Sequence, residues 1–296
     1  MFRNVRFYQL KNDWPDSEAA LSRELNKAAF QPCGPLTERS SGWVPVDQTA
    51  GKLLARRLNG ADLIKLRSQS RVLPPAVVNE ALEEQIDEFR ARMQEEPGRR
   101  EKKRLKAETR EKLLPKALLK SDRIWGYMDL GEKIMGIDAA QASVAERFLR
   151  HLRMPFGELE LRPLKYQKPV GDLLVQIFLG NAPANFNLGR ECRMQDAADA
   201  GSTVRWTDFD LTDSTIRNHV ADGMRLTHLA VEYDNVLGCV IDENGVFSKL
   251  LILGMDDKDA ISDLEPLARL DAEFVLLTGI LRKMVGDLKK LLGGFA

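Results

Sequence analysis

Residues 75–116 read PAVVNEALEEQIDEFRARMQEEPGRREKKRLKAETREKLLPK, and two helices are written into them. Val78, Leu82, Ile86 and Phe89 or Met93 recur at helical spacing, so the periodicity predicts one apolar face on a helix from about Ala76 to Glu95. Pro75 suits its first turn, and Pro97-Gly98 ends it. A second helix should run from Arg99 to about Leu114, where Pro115 interrupts it. The two helices differ in sign. Residues 79–96 hold seven Asp and Glu against Arg90 and Arg92, a net of −5, whereas residues 99–123 hold eleven Lys and Arg against four acids, a net of +7. Two readings compete. Charge runs on helices are most often solvated faces, so by default the pair neutralises itself. Alternatively, the basic helix faces a phosphate backbone, and the acidic surfaces repel nucleic acid from every other face.

Outward from this pair the pattern mixes strands and helices. Met1 to Leu10 reads as a strand, and Ser17 to Phe30 places Leu21, Leu25, Ala28 and Ala29 on one helical face. Gln31-Pro32-Cys33-Gly34-Pro35 and Gly42-Trp43-Val44-Pro45 read as ordered loops. A strand is expected over Ala61 to Arg71, and a hairpin joins Ile124–Leu130 to Lys133–Ile137 through Gly131-Glu132. A helix from Ala140 to Leu152 carries Val144, Phe148 and Leu152, and Glu158 to Pro163 is a short strand. Leu173 to Leu179 fits helix or strand equally. Thr212 is the expected N-cap of a helix from Asp213 to Asp222, with Gly223 at its end. Three strands follow, Met224–Tyr233, Val236–Ile241 and Val246–Leu253, before a long helix from about Asp271 to Leu292. This order predicts an α+β fold with antiparallel sheets and long helices. It divides the chain into an N-terminal α+β region (1–75 with 120–170), a charged helical projection (76–119) and a C-terminal α+β region (171–296).

Composition narrows the function. The 296 residues carry 44 Lys and Arg against 44 Asp and Glu, so no chain-wide basic excess draws in a polyanion. Any such partner must be met by local segregation of charge. Cys33, Cys192 and Cys239 are odd in number and widely spaced, which fits small buried thiols in a reducing cytoplasm better than a zinc site or disulfides. The first residues lack the apolar core of a signal peptide, and no apolar run reaches membrane length. P-loop, dinucleotide-binding and nucleophile-elbow motifs are absent, and His151, His219 and His228 form no metal-ligand spacing. Asp256-Asp257-Lys258-Asp259 lacks the glycine and the distal glutamate of a calcium loop, and reads as an acidic helix start. Trp43 and Trp125 read as core rather than base-stacking residues. No enzymatic chemistry, cofactor or metal is expected.

Several collinear stretches resemble the RdgC family. They are Phe30-Gln31-Pro32-Cys33-Gly34 followed by Gly42-Trp43-Val44-Pro45, Leu73-Pro74-Pro75 before the acidic helix, and Leu113-Leu114-Pro115-Lys116-Ala117 after the basic one. Further along come Asp210-Leu211-Thr212 with Ile216 and His219, then Leu270-Asp271-Ala272-Glu273-Phe274, Leu277-Thr278-Gly279 and the terminal Leu292-Gly293-Gly294. The resemblance implies a curved, several-part subunit that closes with a second copy into a ring around double-stranded DNA. It also implies binding without sequence preference, nucleoid association in the cytoplasm, and restraint of RecA-driven recombination. On this reading Arg99, Arg100, Lys102, Lys103, Arg104, Lys106, Lys112 and Lys116 contact phosphates, helped by Arg67, Arg71, Arg205 and Arg225, while Leu114 and Leu118 lie at a dimer contact.

The chain also departs from the family pattern. Arg205-Trp206-Thr207-Asp208-Phe209 stands where the family is more basic, Gly223-Met224-Arg225 and Thr227-His228 replace Gly-Lys and Thr-Lys, and Leu118 stands where an aromatic is usual. Part of the positive lining is thus missing or moved. An alternative follows, in which the protein acts mainly by direct contact with a recombinase or replication protein.

Overall fold

A computed structural model describes residues 2–47, 51–199, 201–254 and 264–296, and the chain divides into two compact units. Both mix strands with helices, as an α+β fold requires.

The first unit comprises Met1–Lys27, Pro45–Lys65 and Ile124–Ala296. Its centre is β1 (Asn4–Leu10), which pairs antiparallel with β6 (Ile134–Ile137) along one edge. Its other edge is shared by β12 (Phe247–Ile252) and β7 (Leu161–Pro163). From β12 the antiparallel ladder continues through β11 (Leu237–Asp242), β10 (Met224–Tyr233), β8 (Phe186–Asp196) and β9 (Thr203–Thr207). Beyond β6 lies β5 (Leu118–Asp129), and β3 (Ala55–Leu58) pairs with β4 (Ala61–Val72). Alternation sorts the side chains of β1, so that Val5 and Phe7 enter the main core. Against them pack α5 (Val170–Phe178) and α7 (Pro266–Leu291). The second of these repeats Phe274, Leu277, Leu281, Val285 and Leu288 on one stripe, and the glycines ending it, Gly293 and Gly294, have φ of +80° and +104°. The remaining helices of this unit are α1 (Glu18–Asn26), α4 (Ala142–Phe156) and α6 (Ser214–Ala221).

One buried ion pair stiffens the first unit. Asp62 is fully buried and takes two hydrogen bonds from the Arg57 guanidinium, at 2.6 and 2.7 Å, and one from the Trp14 indole at 2.8 Å. A buried carboxylate is tolerated only when its lone pairs are answered in this way.

The second unit comprises Ala28–Val44 and Leu66–Arg123. It holds β2 (Arg39–Val44), the far ends of β4 and β5, then α2 (Pro75–Met93), α3 (Arg99–Leu113) and a single 3-10 turn, Leu114–Lys116. Its hydrogen-bonded strand order is β2-β4-β5. Its core is thin, with Cys33, Trp43, Leu66, Val78, Leu105 and Leu114 buried, while Leu82, Ile86 and Phe89 on α2 are half-buried.

Several expectations need correction. Gly42-Trp43-Val44 is strand, not loop, because the chain there lies against Ala29 and Phe30: the Phe30 amide donates to the Trp43 carbonyl at 2.9 Å and the Trp43 amide to Ala28 at 3.0 Å. For the same reason α1 stops at Asn26, leaving Ala28 and Ala29 outside it. Leu173–Leu179 falls largely in helix α5, and α7 begins at Pro266 rather than Asp271. Asp213, not Thr212, caps α6, accepting from the Thr215 amide at 2.8 Å, because the Thr212 hydroxyl already donates to Asp210 at 2.7 Å. Strands β3, β8 and β9 were not anticipated. The Asp256–Asp259 cluster lies outside the described residues. The three cysteines are buried and free, and among the described residues no helix is long and apolar enough to cross a membrane.

Candidate nucleic-acid interface

Leu105 and Thr109 face the interior of the second unit, so the 3.6-residue period sends Arg100, Lys103 and Arg110 away from it and leaves Arg99 and Lys106 on the flank of α3. All five are exposed. Arg100, Lys103, Arg104 and Ala107 border one shallow open concavity with Gly98 and Glu101.

The ion pairs decide between the two readings of the helix pair. Arg104 is held on its own helix by Glu101 and Glu108, Arg90 by Asp87 and Glu96, and Lys102 lies 4.0 Å from Glu96 in the turn. Arg110 pairs with Glu38 at 2.9 Å. The bonds that join α3 to α2 end on amides instead: Lys106 donates to Asn79 at 3.2 Å and Lys112 to Gln85 at 2.9 Å. Among the described residues no carboxylate of α2 lies within 4 Å of a cation of α3, and Arg99, Arg100, Lys103 and Lys116 have no carboxylate that close. The helices therefore do not neutralise each other by direct pairing.

Local energetics point the same way. Gly98, the N-cap of α3, offers no side-chain cap, and Arg99, Arg100 and Lys102 sit in the first turn with only Glu101 opposing them. Cations there oppose the helix dipole, at a cost of about 0.3–1 kcal/mol each. An anion at that end reverses the sign, since free amides and the dipole both favour it.

The remaining anticipated residues are placed differently. The Arg71 guanidinium is half-buried and bonded to carbonyls, to Gly34 at 3.0 and 3.3 Å, Leu114 at 3.1 Å, Pro115 at 3.2 Å and Ala117 at 3.2 Å. Arg67 lies 4.6 Å over the Phe30 ring and donates to the Ser121 hydroxyl at 3.2 Å. Arg205 pairs with Glu191 at 2.6 Å, and Arg225 with Glu243 at 3.3 Å. Lysine 249 also contacts Glu191, whose carboxyl, despite its burial, is held below the ordinary range by these two cations. Leu114 is buried in the core of its own unit, whereas Leu118 is 79% exposed and Leu119 48%.

One charged surface escaped the sequence reading. On α4 only the apolar face drew notice, yet Arg147, Arg150 and Arg153 ride its other side, with no ion pair to any of them within 4 Å among the described residues. Their signal was available as arginines three residues apart.

Fold and charge together describe an α+β protein whose second unit presents a basic helix, on which Arg99, Arg100 and Lys103 have no carboxylate within 4 Å among the described residues. Comparison with known proteins is consistent with this class. The family model described as "Putative exonuclease, RdgC" matches residues 1–295. Recombination-associated protein RdgC of Halorhodospira halophila is 31% identical over 299 residues, covering 99% of this chain and 98% of the relative. Those of Edwardsiella ictaluri and Yersinia pestis are 29% and 28% identical, covering 99% and 100% of this chain and 98% of each relative. The chain belongs to the RdgC family.

Proposed function

We propose that this protein binds double-stranded DNA without reading its sequence, closes around the duplex as a homodimer, and thereby restrains RecA-dependent recombination in the cytoplasm. The observation that carries this reading is the first turn of α3. There Arg99 and Arg100 are exposed, unpaired with carboxylates and set against the helix dipole, and Lys103 follows in the next turn, exposed and unpaired as well. A bound anion relieves this opposition, since the free amides and the dipole both favour negative charge there. Phosphate contacts of this kind fix position without reading bases. The relatives' printed name, recombination-associated protein, supports a role in recombination.

The phosphate-contact set in this proposal is Arg99, Arg100, Lys102, Lys103, Lys106 and Lys116. Arg104, Lys112, Arg205 and Arg225 are partly engaged by protein groups, and Arg67 and Arg71 act within the fold. Leu118 is the exposed apolar residue available to a second copy. The chain works by occupancy and not by catalysis.

The test is fluorescence anisotropy on two unrelated duplexes over a salt series, with linear and closed circular DNA compared under a high-salt challenge. Expected are one shared salt slope, about −0.9 per phosphate contact, and retention on the circle only. Absence of binding at low salt overturns the reading. Inhibition of RecA that persists without duplex favours direct protein contact, and magnesium-dependent cleavage of plasmid would establish a nuclease instead.

A further inference from the structure

The basic side of α4 belongs to the first unit and has no part in the site above. Its arginines at 147, 150 and 153 stand about 4.5 Å apart in helical rise, from 1.5 Å per residue. Arg150 is exposed, and Arg147 and Arg153 are half-buried. Elsewhere in the unit arginines hold carboxylates, as Arg56 does with Asp271, Arg57 with Asp62 and Arg282 with Asp129. The α4 arginines do not, and the Arg147 Nε and His151 Nδ1 atoms are buried without a hydrogen-bond partner among the described residues.

A fourth cation joins them from β1. Arg6 donates to the Ala140 carbonyl at 2.8 and 3.1 Å, just ahead of the helix. Burial holds the Tyr8 hydroxyl above its ordinary value, and Arg6, Glu146 and Arg153 all act on it electrostatically. Glu146 is the only acid on the helix.

We propose that this α4 surface, Arg147, Arg150 and Arg153 with Arg6, is a second phosphate-backbone contact, carried by the unit that lacks the basic helix pair. Its neighbours favour nucleic acid over a protein partner. Protein interfaces accept arginine and methionine readily, but they are built round a buried cluster of apolar and aromatic side chains. Here the outward residues are Gln141, Ala142, Ser143, Glu146 and Arg150, with Met154 the one large apolar side chain among them. Arginine forks match phosphate oxygens in pairs and hold their charge at any working pH. The identity of the ligand rests on the DNA-binding reading, but the surface is a separate one.

The test places a photo-crosslinking amino acid in the full-length chain at Met154, which is 65% exposed and two turns from Arg147. Ala107 on α3 and Met93 on the acidic helix serve as comparison positions. With a random-sequence 30-bp duplex as probe, crosslinks from 154 and 107 but not from 93 are expected. The R147A/R150A variant should lose about 1.8 from the salt slope, and R147K/R150K should keep it, provided both melt as the parent does. Crosslinking from 107 without 154 overturns the α4 surface and leaves DNA binding intact. No DNA crosslink from either position overturns both.

Discussion

Arg71 offers the sharpest separation between a structural and a phosphate-binding arginine. Its Nη1 has two protons and three carbonyl acceptors, Leu114, Pro115 and Ala117, all in the turn that ends α3, while Nε and Nη2 both reach Gly34. Replacement by alanine orphans these half-buried carbonyls and unties the 3-10 turn from the strand beside it. Hydrogen bonds to a charged group contribute roughly 1.5–3 kcal/mol each. These bonds are long, so two effective bonds at the low end give about 3 kcal/mol. R71K should recover less than half of that, because one ammonium cannot span Gly34 and the turn together. Urea unfolding and amide exchange over residues 99–118 would measure the loss. The salt slope of duplex binding should stay within about 0.5 of the parent, since no phosphate contact is removed. A variant of parental stability whose slope falls by about 1 would place Arg71 on the phosphates and refute the argument.

The opposite phenotype is expected from R100A/K103A: stability within about 0.5 kcal/mol of the parent, and a salt slope shallower by about 1.8, so that the parent's extra loss of affinity between 50 and 200 mM salt is roughly twelvefold. In R57A the buried Asp62 carboxylate keeps only the Trp14 indole, and chemical denaturation should show a loss of about 3–5 kcal/mol. A Cβ at Gly42 would stand 2.5 Å from the Phe30 nitrogen and 2.6 Å from the Ala29 carbonyl carbon, so G42A should lose about 3 kcal/mol or fail to accumulate in soluble form. Burial pushes the Cys192 and Cys239 thiols up to about 12. Both are raised, so both stay protonated at pH 8, and mass spectrometry of the native protein should find them unalkylated by iodoacetamide until urea is added.

What the sequence disclosed follows from where its signals are local. The helix pair was legible because Val78, Leu82 and Ile86 keep helical period and Pro97-Gly98 breaks it. The three-strand run β10 to β12 was legible because each strand alternates between tight turns. Strand β8 was not, since its pairing with β10 shifts register twice, and half-buried Leu188 and exposed Arg190 interrupt the alternation of the buried Phe186, Cys192 and Met194. Strand β3 had a signal that went unread: Asn59-Gly60, with φ of +46° and +74°, is the two-residue turn that joins it to β4. For the candidate site, net charge along the chain singled out α3 but could not say which cations bond within the protein. Arg71 and Arg205 look like any other arginine until Gly34, Leu114 and Glu191, distant in sequence, are brought beside them.

The strand order of the second unit also bears on how this arm was acquired. β4 ends at Val72, β5 begins at Leu118, and the two are hydrogen-bonded neighbours, with Gln69 and Arg67 both reaching Ser121. Everything from 73 to 117 is therefore, topologically, the loop of a β-hairpin. The exposed face of such a loop can change sign over evolutionary time, while Val78, Leu105 and Leu114, buried in the unit's core, and the turn held by Arg71 keep its base fixed. A two-residue Asn-Gly turn in its place would remove the charged arm and, with it, the buried Val78, Leu105 and Leu114, so the strands left behind would be less stable.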